Sequence, residues 1–193
     1  MSSMFAKNTA ALILASLIAA PALASDHYTV DAHHTWPMFE VNHLGFTTQR
    51  GRFNQSAGDV TLDMTTHQGS VNLTIQTGSL DMGFDKWDEH LKSETFFNAA
   101  VFPTMQFTSN KLRFEGDKVV AAEGNFTLLG VTRPLTVNVS NFRCGEHPMT
   151  HKLTCGADIT ATFKRSDFGM NSFIPAVGDE VKIIVPLEAT KDY

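Results

Sequence analysis

The residue types that could do chemistry in this chain are its eight histidines and its two cysteines. His147 and His151 lie four residues apart beside Glu146, but in a proline-containing loop that assures no fixed ligand geometry. His33 and His34 are adjacent, so in a strand their rings point to opposite faces and cannot share a metal. The chain has neither an HExxH sequence nor paired CxxC sequences. We therefore predict no specific metal site, and the loop from His147 to His151 is the first candidate should one exist.

Cys144 and Cys155 flank a short segment rich in turn-forming residues. In an oxidising compartment, two cysteines at the base of a loop between strands are expected to form a disulfide. A redox pair would instead need a thiol of low pKa at the start of a helix, and the residues around both cysteines do not predict one. The chain also has no Gly-x-Ser-x-Gly elbow, phosphate-binding glycine loop or dinucleotide fingerprint. A binding protein is therefore favoured over an enzyme.

Two polar residues, His43 and Lys92, are expected to lie nearest to a ligand. His43 shares one face of a strand with Phe39 and Val41, which puts an ionisable ring at the end of an apolar stripe. The alternative is a buried histidine that ties the strand end to a neighbour. Lys92 is expected on a helix near Phe96, where it could meet the polar head of a ligand. The alternative there is an ordinary exposed lysine.

The elements that must position these residues are mostly short strands. Apolar and polar residues alternate with a period of two in four segments, which is typical of strands with one buried face. The apolar positions of these segments are Val71, Leu73, Ile75, Leu135, Val137, Val139, Ala157, Ile159, Ala161, Phe163, Ile183, Val185, Leu187 and Ala189. Turn residues such as Gly and Asp separate the segments. Many short strands with regular turns predict an antiparallel barrel or sandwich.

One segment has helical spacing instead. Residues 86–97 contain no Gly or Pro, and they place Trp87, Leu91 and Thr95 on one helical face. Asp85 is expected to cap the start of this helix, and Pro103 prevents its continuation. We therefore predict a single helix of about two to three turns between strands.

The first 24 residues have the pattern of a secretory signal peptide. Lys7 precedes an apolar run over residues 10–20, and small residues follow Pro21. We expect cleavage after Ala24 and export to the periplasm of a bacterium, which leaves a mature chain of residues 25–193 without a stable membrane anchor. That length suits one domain. A net charge of -5 without a basic cluster argues against nucleic-acid binding.

Five blocks of the chain resemble the YceI family, exported lipocalin-like proteins that bind polyisoprenoids. The blocks occur in the family's order and span the expected mature chain. They are Tyr28-x-x-Asp31 with His34, Phe39-x-Val41-x-His43-Leu44-Gly45 and Gly51-x-Phe53; Asp88-Glu89-His90-Leu91-Lys92-Ser93-x-x-Phe96-Phe97 with Phe102-Pro103; residues 124–134; residues 164–170; and residues 178–181.

The resemblance implies an all-β fold, an eight-stranded antiparallel lipocalin-like barrel with a short helix near one end. It implies an apolar tunnel for an isoprenoid chain, such as the tail of ubiquinone or of a polyprenyl phosphate, and no other cofactor. Family members are often periplasmic and have been linked to stress at acid or alkaline pH. The residues expected to line or cap the tunnel are Phe39, Val41, His43, Leu44, Phe53, Trp87, Leu91, Lys92, Phe96, Phe97, Phe107, Phe126, Phe163, Phe168 and Met170. A slip of one residue in strand phase would turn any of them outward.

The chain departs from the family pattern at a few positions. Residues 35–53 are expected to form the opening strand, with apolar residues facing the core. Pro37 lies inside this strand, which predicts a sheet edge or a bulge there. Ala32, Lys92 and Asn98 stand where the family often has Pro, Arg and Asp. Because Arg and Lys hold phosphates differently, these changes leave the preferred head group open.

The leading hypothesis is a periplasmic, non-catalytic carrier of an isoprenoid lipid or quinone. One alternative is an enzyme or redox protein acting on such a lipid, with His43 as base or Cys144 and Cys155 as the redox pair. Another is a metal-binding envelope protein that uses His147 and His151. The oligomeric state stays open, a homodimer included.

Overall fold

The computed structural model describes residues 25–193, so the expected signal peptide, residues 1–24, lies outside the described residues. Eleven strand segments form one antiparallel sheet. They are β1 (Asp26–Val30), β2 (Met38–His43), β3 (Thr47–Phe53), β4 (Ser56–Asp63), β5 (Gln68–Gln76), β6 (Leu80–Asp81), β7 (Thr104–Glu115), β8 (Lys118–Leu128), β9 (Val131–Glu146), β10 (Leu153–Lys164) and β11 (Val177–Lys191). Helix α1 (Asp85–Lys92) connects β6 to β7, and single turns of 3-10 helix lie at Thr77–Ser79 and Arg165–Phe168.

The sheet closes into a barrel of eight strands. The ring runs β1-β4-β5-β7-β8-β9-β10-β11, and β11 pairs back to β1 with Val30 opposite Ala189. Closure leaves no free edge along this ring, which is how antiparallel sheets avoid unpaired backbone groups. The predicted eight-stranded antiparallel barrel with one short helix is confirmed.

The remaining segments, β2, β3 and β6, extend the wall at one end. The long strand β11 pairs with β1 near its C-terminal end and with β2 near its N-terminal end. β3 pairs with β2 and with β6, and it leads within two residues into β4. Three of the barrel strands are therefore each built from two segments, β1 with β2, β3 with β4 and β5 with β6, and β2, β3 and β6 carry the wall beyond the ring.

The expectation of one opening strand over residues 35–53 was wrong. These residues form β2 and β3, joined by a turn in which Leu44 and Gly45 have φ angles of +56° and +73°. Pro37 precedes β2, and its carbonyl accepts the N–H of Phe53 at 2.8 Å. Because β2 pairs with β11 on one side and β3 on the other, Pro37 marks neither a sheet edge nor a bulge within the strand.

The predicted alternation along the strands is confirmed. Leu73 and Ile75 of β5, Val137 of β9 and Val185 of β11 are all at most 8% exposed. Side chains at every second position of a strand point to the same face, so these apolar sets fill the barrel interior. Burial of one face thus fixes the register of each strand.

Helix α1 has the predicted length of about two to three turns but ends before the segment 86–97 does. It begins at Asp85, with Phe84 rather than Asp85 as the N-cap residue, and it ends at Lys92. The Ser93 hydroxyl donates to the carbonyl of His90 at 2.7 Å, a local hydrogen bond that competes with further helix. Residues 93–103 continue as turns that carry Phe96 into the core. Within residues 25–193, no helix is long and apolar enough to cross a membrane.

Candidate ligand-binding cavity

A cavity of about 330 Å³ lies inside the barrel at the end where α1 packs. Side chains from β2, β3, α1, the turns after α1 and four later strands surround it. Eleven of the predicted site residues line it: Phe39, Val41, His43, Phe53, Trp87, Leu91, Phe96, Phe97, Phe126, Phe163 and Met170. The cavity volume falls within the range of small-molecule sites.

Aromatic rings from three different elements pack at one side of this cavity. The rings of Phe53 and Phe97 meet edge to face with centroids 5.4 Å apart, and Phe39 lies 6.1 and 6.2 Å from them. β2 and β3 supply two of these rings, and the third comes from the turns after α1. Edge-to-face packing fixes the relative orientation of the rings, so this part of the cavity wall has a defined shape.

A second cavity of about 110 Å³ lies deeper in the barrel. Aliphatic and aromatic side chains line it, and Phe107, a predicted tunnel residue, lies here rather than in the larger cavity. Ile75, Phe126 and Ile183 line both cavities. The two cavities therefore adjoin at these three side chains, which form a waist between them.

Three of the predicted tunnel residues line neither cavity. Leu44 lies in the turn between β2 and β3 and is 52% exposed, because the turn breaks the alternation of the strand. Lys92 follows Leu91 on α1, and successive helical side chains point about 100° apart. Phe168 is 3% exposed and packs against Phe126 and Phe163 at 5.5 and 5.2 Å, so it fills the core instead.

Several lining residues were missed by the sequence reasoning. Ile183 belongs to a predicted apolar strand face and could have been found from that pattern. Met82, Arg165 and Phe173 lie in short or irregular segments, where no periodic signal marks the inward face. His90 lies on α1 three residues after Trp87, so the helical spacing could have found it.

The larger cavity reaches the surface beside α1. Trp87 and Phe173 line the cavity and are also 41% and 57% exposed. The His43 ring lies 6.4 Å from that of Trp87, and the His90 ring lies 6.2 Å from that of Phe173. The rings of His43 and His90 therefore lie at the open end of the larger cavity, and the waist lies at its opposite end.

Arg165 is a buried cation in the cavity wall, 3% exposed. Its guanidinium donates four hydrogen bonds of 2.8 to 3.0 Å, all to backbone carbonyls, those of Met170, Ser172, Val177 and Gly178. Burial lowers the pKa of Arg165, and the carboxylate of Asp179 opposes this shift. Four of its about five N–H donors are thus used, and they tie the segment before β11 to the first two residues of that strand.

Cys144 and Cys155 form the predicted disulfide, between opposite positions of β9 and β10. In the loop beyond it, Nδ1 of His147 accepts the backbone N–H groups of residues 149 and 150, each at 3.2 Å. Nδ1 of His151 lies 2.8 Å from Oε1 of Glu146. The two rings therefore engage different partners, and the loop does not gather three metal ligands.

Comparison with known proteins agrees with this architecture. The sequence model of the YceI-like domain matches residues 28–189. A UPF0312 protein of Shewanella baltica (strain OS185) is 33% identical over 184 residues, which cover 94% of this chain and 96% of the relative. Protein YceI of Salmonella arizonae is 33% identical over 190 residues, covering 96% and 98%.

Solved structures share the fold at lower sequence identity. The crystal structure of Burkholderia cenocepacia BcnA matches with a TM-score of 0.71 at 24% identity, over 83% of this chain and 99% of that one. A polyisoprenoid binding domain from Saccharophagus degradans, implicated in plant cell wall breakdown, matches with a TM-score of 0.64 at 16% identity, over 86% and 98%. Taken with the match over residues 28–189, these findings show that the chain belongs to the YceI-like family, as its motifs predicted.

Proposed function

We propose that this protein is a non-catalytic carrier of an isoprenoid lipid, with the chain in the two cavities and the head group at the open end. The observation that carries this proposal is the meeting of two apolar cavities at Ile75, Phe126 and Ile183. A path that narrows and continues along the barrel suits a long flexible chain better than a compact ligand.

Burial of the chain is sufficient to supply the affinity. Each methylene group taken out of water contributes about 0.8 kcal/mol, so several isoprene units bind tightly without polar contacts. Such a role needs no nucleophile or general base. The protein would shield a lipid tail that is insoluble in water.

The polar groups of the larger cavity favour a neutral head group. His43, Gln49 and His90 can donate or accept hydrogen bonds, as the carbonyl oxygens of a quinone require. The cationic groups offer little to a phosphate: the guanidinium of Arg165 is held by four backbone carbonyls, and Lys92 does not line the cavity. We therefore propose a prenylated quinone such as ubiquinone over a polyprenyl phosphate.

Two further findings support this role and its place in the cell. The Saccharophagus degradans domain that shares the fold is described as polyisoprenoid binding. The disulfide between Cys144 and Cys155 is typical of oxidising compartments, which agrees with the expected export to the periplasm.

The experiment that tests the proposal is native mass spectrometry of the protein isolated from the bacterial envelope, followed by organic extraction. We expect an added mass identified as a prenylated quinone. A bare protein mass, with no uptake of added ubiquinone, would contradict the carrier role.

The head group is tested separately, by competition between ubiquinone and a polyprenyl phosphate of similar chain length. We expect the quinone to bind more tightly, and His43→Ala to weaken quinone binding while His33→Ala, outside both cavities, leaves it unchanged. Tighter binding of the phosphate would overturn the head-group assignment and keep the carrier role.

A further inference from the structure

Three potential metal ligands meet where the barrel closes, and none of them lines either internal cavity. Nδ1 of His34 lies 2.7 Å from Oδ2 of Asp31 and 4.0 Å from Oε2 of Glu188. All three ligand atoms lie within 4.8 Å of one another. Among residues 25–193, this is the one group of three His, Cys, Asp or Glu side chains close enough to share an ion.

The backbone that carries these side chains is held in place. The N–H of Asp31 donates to the carbonyl of Glu188 at 2.8 Å, which ties the turn after β1 to strand β11. Thr35, fully buried, accepts the N–H of Glu188 through its hydroxyl oxygen at 3.2 Å. The buried hydroxyl of Ser56 donates to the carbonyl of Thr35 at 2.7 Å. A site on such a scaffold needs only side-chain adjustment to bind an ion.

The charges of the group favour a cation. Among the ion pairs of the described residues, Asp31 and Glu188 have His34 as their single partner. No lysine or arginine pairs with either carboxylate in that part of the chain. When the imidazole is neutral, two negative charges therefore face the same ring nitrogen.

From this geometry we propose that Asp31, His34 and Glu188 bind a divalent first-row transition-metal ion, with Zn²⁺ as the best chemical fit. Zinc takes imidazole nitrogen and carboxylate oxygen at about 2.0–2.2 Å, and water completes its four ligands. The imidazole disfavours Mg²⁺ and Ca²⁺, which prefer oxygen ligands throughout. The short contact between His34 and Asp31 opens slightly as the ion takes the place of the shared proton.

Occupancy of this site would join the two ends of the folded chain. Asp31 follows β1 and Glu188 belongs to β11, and the pairing of these two strands closes the barrel. Because the ion binds only the folded chain, it shifts the folding equilibrium toward the native barrel. This inference is independent of the proposed lipid ligand.

The test is isothermal titration of the purified, metal-stripped protein with ZnCl₂, combined with thermal unfolding. We expect one equivalent to bind and the Tm to rise, whereas MgCl₂ and CaCl₂ have no effect. His34→Gln and Glu188→Gln are expected to weaken zinc binding by about tenfold or more. The side chains of His34 and Glu188 are 59% and 44% exposed, so neither amide variant should prevent folding.

Matched variants separate this site from adventitious binding by other histidines. His33→Gln alters the neighbouring exposed ring and keeps the backbone N–H that donates to Asp31, so zinc binding should be unchanged. Zinc binding that survives in both His34→Gln and Glu188→Gln, or that is lost in a His147→Gln, His151→Gln double variant, would overturn the proposal.

Discussion

Gly51 of β3 lies directly opposite Phe39 of β2, and the ring of Phe39 occupies the space that a side chain at position 51 would need. A Cβ atom on Gly51 would lie 2.6 Å from Cε1 of that ring and would also clash with Sδ of Met82, which lines the larger cavity. Phe39 lines the larger cavity and packs against Phe53 and Phe97. The missing side chain at Gly51 therefore sets the position of a ring in the cavity wall.

Gly51→Ala is expected to displace the Phe39 ring and disturb the cavity. Overpacking of this kind lowers the free energy of unfolding by about 1–3 kcal/mol. Ligand affinity should fall about tenfold, which corresponds to about 1.4 kcal/mol. Urea unfolding and quinone titration measure the two effects. Gly145→Ala in β9 is the control, since a Cβ there has no neighbour within 4 Å. Equal quinone affinity in the Gly51→Ala and Gly145→Ala variants would refute the role of Gly51.

Replacing Arg165 tests whether a buried cation organises the segment before β11. Arg165→Met leaves four backbone carbonyls without their donor, so the free energy of unfolding should fall by about 3 kcal/mol or more. Arg165→Lys should recover less than half of this loss, because an ammonium group lacks the planar set of donors. Urea unfolding gives both values.

The matched control for Arg165 is Arg113→Lys, at an exposed position of β7. Its effect should stay within about 0.5 kcal/mol. A stable Arg165→Lys variant would mean that charge alone, and not the four directed hydrogen bonds, is what this position needs.

The strand faces were predictable from the sequence because burial of one side imposes a period of two. Leu73 and Ile75 show this pattern locally, and so does Val185. The helix end was less predictable. Ser93 ends α1 through a hydrogen bond to His90, whereas the apolar spacing continues past it.

The contacts that build the two candidate sites depend on pairing between distant segments. Asp31 meets Glu188 only because the first and last strands close the barrel, and no local pattern encodes their register. Phe173 reaches the cavity from an irregular segment, where no periodicity marks it. Eleven of the fifteen predicted tunnel residues line the larger cavity because they lie on regular elements or follow the family motifs.

Removing the disulfide should destabilise the barrel moderately. The bridge closes a loop with a sequence separation of 11, so Cys144→Ala with Cys155→Ala should cost about 2–3 kcal/mol by the loop-entropy estimate. Urea unfolding of the double variant measures this loss. Wild-type protein unfolded in the presence of a reductant should match the variant; a wild-type stability unaffected by reductant would contradict the expectation.

Asp179 should contribute stability that disappears in acid. The backbone N–H of Ser166 holds the pKa of this carboxyl below its ordinary value of 3.8, and the Ser166 hydroxyl adds to this while burial opposes it. A lowered folded-state pKa gives stability that is present above about pH 4 and is lost as the pH falls through the folded value. The stability difference between wild type and Asp179→Asn should therefore shrink below about pH 4.

Urea unfolding across this pH range measures that difference. Asp117→Asn, at a side chain that is 95% exposed, serves as the control and should show no such change. A difference between wild type and Asp179→Asn that stays constant down to low pH would show that the effect of the substitution is not linked to ionisation.

The second cavity should set the length of the chain that the protein accepts. Ala161 of β10 is 4% exposed, lines this cavity and lies opposite Ile183, one of the three side chains at the waist. Ala161→Leu narrows the passage, so the affinity for a long-chain quinone should fall about tenfold, a change of about 1.4 kcal/mol. A quinone with a short chain, held in the larger cavity alone, should bind unchanged. Ala57→Leu, at an exposed position of β4, is the control.

Titration with quinones of increasing chain length separates the two outcomes of the Ala161→Leu variant. A loss confined to long chains means that the tail passes the waist formed by Ile75, Phe126 and Ile183. An equal loss for short and long chains would mean that the substitution disturbs the barrel as a whole, since overpacking also costs about 1–3 kcal/mol of folding free energy. An unchanged affinity for every chain would place the whole ligand in the larger cavity, and the deeper space would then be a packing void and not part of the site.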